Sequence, residues 1–193
     1  MSHTGYSLVE LVFVTALIGT VSAVAVPGIL ATIDESRAIG ATRYLSTRLQ
    51  HVRMESVARS VDVGLKFVEA SDGYSYTTYV DGNGNGLRAS DIQHGIDRAI
   101  QPAERLRDLF YGVDFGIRPG LPAVESGGSP PGTDPVKLGA SNILTFTPLG
   151  TSSSGSLYIL GRSGAQYVIR IFAESGKTRV LKFDPRAHRW KPL

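Results

Sequence analysis

Residues 81–86 read Asp81-Gly82-Asn83-Gly84-Asn85-Gly86, with an oxygen-bearing side chain at every second position. Carboxylate and amide oxygens at the first, third and fifth positions ahead of a glycine resemble the opening of a calcium loop. The twelfth position, where a bidentate carboxylate would complete the shell, is Ile92, and Asp91 falls one place early. Glycine and asparagine also build tight turns without an ion, because both tolerate positive φ. A second group is basic. In the last 17 residues Lys177, Arg179, Lys182, Arg186, Arg189 and Lys191 face Asp184 alone, with Trp190 among them. Cations with an aromatic suit DNA through phosphate neutralisation and stacking. They equally suit an acidic neighbouring subunit, a headgroup surface or a protected sheet edge. The third feature is a single residue, Glu10, the only formal charge in residues 1–33.

No catalytic set assembles. His51, His94 and His188 are scattered and lack metal-ligand spacing. Ser152-Ser153-Ser154 reads as a polar turn, since no nucleophile elbow can be drawn around it. Gly82, Gly84 and Gly86 lack the following Lys-Ser/Thr and the βαβ setting of a phosphate loop. The chain has no Cys, which excludes disulfides, thiolate metal sites and a cysteine nucleophile. The sequence therefore predicts a non-enzyme that needs no cofactor.

The elements that carry these residues follow from hydrophobic periodicity. Leu8 to Ala31 is apolar on every face, long enough to cross a bilayer, where about 20 residues are needed. A carboxylate inside such a span costs roughly 3 kcal/mol, so Glu10 either lies at the membrane surface or awaits a cationic partner. Pro27 predicts a kink or local melting. Beyond it Ala38, Ala41, Leu45, Leu49 and Val52 form an amphipathic stripe, with Arg37, Arg43, Arg48, Arg53 and Arg59 on a solvated face. One helix from about Ser7 to Ser60 would be roughly 80 Å long. After Ser60 the period becomes two. Val61–Phe67 and Tyr74–Val80 form a hairpin across Ser71-Asp72-Gly73.

Residues 91–111 predict a short helix or loop, a break at Pro102 and a second short piece, with a strand over Val113–Ile117. Gly116–Ser141 holds six Gly and five Pro, which predicts a loop rather than a core element and a candidate partner-facing region. Strands are expected at Ile143–Thr147, Ser156–Leu160, Gln166–Phe172 and Thr178–Phe183.

The N-terminal residues carry a resemblance. Gly5, then Tyr6, then Glu10 four residues on, resemble the class III signal peptides of type IV pilins and type II secretion pseudopilins. The resemblance implies that a prepilin peptidase cuts after Gly5 and methylates the new amino group of Tyr6. It leaves the apolar segment on the mature protein, and Pro27 falls where the family often has a proline. The leader departs from the family in having His3 but no Lys or Arg, and position 6 is Tyr rather than Phe. Ala23-Val24-Ala25 also fits an ordinary secretory cleavage site, but a positive n-region is missing and Glu10 interrupts the apolar core.

A narrower resemblance lies toward the C-terminus. Phe146-Thr147-Pro148-Leu149-Gly150, Leu157-Tyr158-Ile159-Leu160 and Ser175-Gly176-Lys177-Thr178-Arg179 resemble the GspH/FimT pseudopilin family, with Lys177 where Arg is usual. That family implies an α+β fold, a long N-terminal transmembrane and stem helix packed on an antiparallel, β-sandwich-like head. The expected organisation is a leader at 1–5, an anchor at 6–33, a stem at 34–60 and a head at 61–193. The resemblance implies a minor pseudopilin of a type II secretion system, anchored in the inner membrane and assembled into a periplasmic pseudopilus for protein secretion, with other pseudopilins or pilins as partners. The alternative is a minor type IV pilin that binds DNA through its basic C-terminal region.

Overall fold

A computed structural model of the chain describes residues 7–125 and 127–193. Gly5 and Tyr6 lie outside the described residues.

Helix α1 spans Leu8–Arg59, 52 residues, and so is about 78 Å long at 1.5 Å per residue. It ends where Ser60 turns left-handed (φ 57°) and its N–H bonds back to the Val57 carbonyl. The local melting expected as one outcome at Pro27 does not occur, and α1 runs through it as continuous helix. Proline removes one backbone donor, and the turns on either side keep their own bonds. Ala38, Ala41, Thr42, Leu45, Leu49, Val52 and Ser56 form its buried stripe. Everything from Leu8 to Ile33 is exposed.

The hairpin forms as read. Strand β1 (Val63–Ala70) pairs antiparallel with β2 (Gly73–Val80) from Val63↔Val80 to Ala70↔Gly73. Gly73 has φ 117°, and a Cβ there would lie 2.2 Å from an Asp114 carboxylate oxygen, so the turn requires glycine. Helix α2 (Ala89–Gln93), strand β3 (Arg98–Ala99), helix α3 (Leu106–Leu109) and strand β4 (Val113–Phe115) follow. Strands β5 (Val136–Lys137), β6 (Ile143–Phe146), β7 (Gly155–Gly161), β8 (Gln166–Ile171), β9 (Thr178–Asp184) and β10 (Arg189–Pro192) complete the head. The first sheet has the order β3-β2-β1-β6. The second has the order β10-β9-β8-β7-β4, with β5 also paired to β7. Every pairing is antiparallel.

One core joins the two sheets to α1. Leu45, Leu49 and Val52 meet Val63, Leu65 and Phe146 of the first sheet and Leu157, Ile159, Ile169 and Ile171 of the second. Alternation along β8 sends Tyr167, Ile169 and Ile171 to this core, and Val168 to a smaller cluster with Tyr158 and Leu181.

Two differences from the sequence reading have clear causes. The Gly/Pro-rich stretch 116–141 is not simply a loop. Val136 and Leu138 enter the main core, while Ile117 and Val124 pack on the smaller cluster. Its apolar residues are too widely spaced to show a period, yet each fills a site on the second sheet. Strand β10 was not expected, because Arg189-Trp190-Lys191-Pro192 looks polar. Its register opposite Leu181–Asp184 makes it an edge strand, where Lys and Pro are ordinary.

Candidate functional site

The calcium-like residues form a self-satisfied turn. Asp81 accepts backbone N–H bonds from Asn83 (3.0 Å) and Gly84 (2.9 Å) at one oxygen and from Gly86 (2.8 Å) at the other. Burial alone would raise its pKa, but these donors hold it below the ordinary carboxylate value. Asp91 accepts from the side-chain amides of Asn83 (3.3 Å) and Asn85 (3.0 Å). Asp97, which the sequence did not single out, accepts from the N–H groups of Gly82 and Arg88 at 3.1 Å each. Among the described residues no group of three or more His, Asp or Glu lies close enough together to hold a metal ion.

The basic C-terminal residues do not form one patch. Strand alternation divides them between faces, and the length of β9 divides them between ends. Lys182 turns toward α1 and pairs with Glu35. Lys191 pairs with Asp184 at 2.5 Å. Trp190 is half-buried, its ring 5.5 Å from Phe183 and 6.2 Å from Tyr158, and it donates its indole N–H to Pro122 at 3.0 Å. It is a packing residue rather than a stacking platform. Lys177 and Arg179 are exposed at the start of β9, and Arg186 and Arg189 at and beyond its far end. The five residue steps from Arg179 to Asp184 correspond to about 17 Å.

The resemblance residues Gly176-Lys177-Thr178-Arg179 alternate in the same way. Thr178 faces the stem, where Gln50 donates to its hydroxyl at 3.0 Å and Ser46 lies at 3.3 Å. Gly176, at φ 59°, packs so closely on Gly150 that a Cβ would sit 2.3 Å from its carbonyl oxygen.

The stem arginines are not all solvated, contrary to the sequence reading. Arg53 donates to the Gly150 carbonyl at 3.0 Å, and Arg48 pairs with Glu104 at 2.6 Å. Glu104 also accepts from the hydroxyls of Tyr44 (2.8 Å) and Tyr76 (3.2 Å). Burial pushes its pKa up, but the Tyr44 and Arg48 bonds outweigh this and hold it below the ordinary value. Burial, followed by the neighbouring Glu104 charge, pushes the Tyr76 hydroxyl up. Glu104 lies 56 residues from Arg48, so nothing local in the sequence signals this docking network.

The anchor half of α1 makes a different surface. Leu8, Phe13, Val24 and their neighbours are uncovered, with Val24 82% exposed. Glu10 lies in the first turn and Pro27 midway, both exposed. Among the described residues α1 is the one helix long and apolar enough to cross a membrane. The result is an α+β protein in which a bare apolar helix half projects from a packed antiparallel head.

The family model for type II transport protein GspH matches residues 41–175, and the chain belongs to that family. The match runs through the middle of the head, beyond the segments that carried the sequence resemblance. It leaves the N-terminal motif and residues 176–179 outside. Among solved structures, the chain is similar to the minor pseudopilin EpsH from the type 2 secretion system of Vibrio cholerae. The two share 17% identity with a TM-score of 0.44, over 75% of this chain and 94% of that one. Comparison with curated proteins gives no match.

Proposed function

We propose that this protein is a minor pseudopilin of a type II secretion system, anchored in the inner membrane by residues 6–33 with its head in the periplasm. The observation that carries this reading is the GspH-family head joined to 26 residues of helix, 8–33, that no part of the head covers. Such a surface is stable only in lipid or against like helices in a filament core.

Processing by a prepilin peptidase between Gly5 and Tyr6 would place a new amino group four residues before Glu10 in the chain. In an apolar medium an isolated carboxylate or ammonium is costly, and each offsets the other's desolvation. A neighbouring subunit's amino terminus is therefore the partner that Glu10 fits as subunits leave the bilayer. The partners are other pseudopilins. The C-terminal run offers no single DNA-binding patch, because Trp190 is packed and the cations are divided between the two ends of β9. N-terminal sequencing of the mature protein tests the reading: a start at Tyr6 is expected, and a start at Val26 would sink it.

A further inference from the structure

The end of the head from which the bare helix emerges is cationic, and it is assembled from four separate segments. Strand β9 runs antiparallel to α1, with Thr178 beside Gln50 and Lys182 beside Glu35. The turn after β9 therefore lies at the anchor end of the head. A cleft of about 310 Å³ there is lined by Ala31 and Glu35 of the helix together with Arg118, Gly164, Lys182 and Pro185 of the head. Arg186 follows Pro185 and is exposed, as is Arg118. On the adjoining side Arg37 and Arg162 flank the Tyr111 ring, their guanidinium carbons 5.6 and 5.7 Å from its centroid. Tyr111 is 65% exposed. Arg37 with Asp34 and Lys182 with Glu35 form neutral pairs, and Asp184 at the turn is paired with Lys191, which leaves Arg118, Arg162 and Arg186 against Asp108 beside Tyr111.

We propose that this rim, in which Arg118, Arg162 and Arg186 carry the free positive charge beside Tyr111, seats the head on anionic phospholipid headgroups before the subunit enters a filament. The inference rests on the membrane-anchored reading above. The helix supplies the placement. An anchor beginning near Leu8 crosses a 30 Å hydrocarbon layer in about 20 residues, so it emerges only a turn or two before Glu35. The rim then lies at headgroup level, where each Lys or Arg gains from anionic lipid and an exposed tyrosine finds its usual interfacial setting. A DNA or acidic-protein partner would not account for a position bound to the exit point of the apolar helix.

The test uses the full chain in nanodiscs of phosphatidylcholine, with or without phosphatidylglycerol, read by amide hydrogen exchange and alkaline extraction. The expected result is slower exchange in the 161–164 and 184–189 turns in the anionic discs alone. Arg118→Gln/Arg162→Gln/Arg186→Gln should remove most of that protection, by roughly a hundredfold at about fivefold per arginine. Lys177→Gln/Arg179→Gln, at the far end of β9, should leave it unchanged. Extraction-resistant insertion with equal exchange in both lipids overturns the rim while the anchor stands. Extraction at alkaline pH overturns both. Protection reproduced by free glycerophosphate over zwitterionic discs, or abolished by the Lys177/Arg179 pair, also overturns bilayer seating.

Discussion

The two halves of α1 share one backbone and opposite environments. Residues 8–33 are exposed throughout and border the head only near Ala31, whereas residues 34–59 carry a stripe that is wholly buried at Ala38, Ala41, Leu45, Leu49 and Val52. The contrast teaches that helix formation alone does not say what a helix is for. The stem half is composed for one partner, its own pair of sheets. The anchor half has no preferred face, so it suits a surrounding medium or a ring of like helices.

The largest expected effect bears on the anchor half. Glu10→Ala should insert and be cleaved normally yet lose filament incorporation at least tenfold, since an amino terminus left uncompensated in an apolar medium costs about 3 kcal/mol. Crosslinking of subunits in membranes reads this, and wild-type incorporation would contradict the pairing. Next comes the contrast itself. Leu45→Ala or Leu49→Ala should destabilise the head by about 3 kcal/mol in urea unfolding of the detergent-solubilised chain. Leu17→Ala should leave the same transition in place, because its side chain packs on no part of the head. Equal effects in the two halves would erase the distinction.

A smaller effect sharpens how the stem is held. Glu104→Gln weakens the Arg48 pair and the two tyrosine bonds and should cost about 2 kcal/mol. Because folding lowers the Glu104 pKa, its stabilisation is present above the ordinary carboxylate value and is lost as pH falls through the lowered one. The difference between wild type and variant should therefore begin to shrink below the ordinary carboxylate value and vanish only below the lowered one. Asp114 has the opposite sign, since burial raises its pKa. Its contribution improves on acidification, so comparison with Glu104→Gln isolates the Glu104 part. Asp81→Ala should cost about 1–2 kcal/mol through three orphaned N–H groups. The smallest effect is that of calcium. Those same donors already occupy the Asp81 oxygens, so added calcium should leave the melting temperature of the wild type unchanged.

Much of the architecture was legible because it is periodic. The helix from Leu8 to Arg59, the stem stripe, the β1–β2 hairpin and the C-terminal strands β6 to β9 all follow from spacings of 3.6 or 2, with end errors of one to three residues. The GspH-family resemblance rested on short motifs, and the family match supports it over a longer stretch than those motifs covered. The basic C-terminal run was legible as composition but not as a surface. Neighbours in sequence point to opposite faces of a strand, so Lys182 reaches Glu35 while Arg179 faces away.

By itself the sequence determined that one long helix carries an apolar half and an amphipathic half ahead of a β head, and that Glu10 stands alone in the first. These are local properties of residue type and period. Tertiary structure alone decided that Arg48 and Arg53 dock the stem, that Val136 and Leu138 draw a Gly/Pro-rich excursion into the core, and that Arg118, Arg162 and Arg186 meet where the helix leaves the head. Each joins residues far apart in the chain, and only the closing of two sheets around the stem determines which distant side chains share a surface.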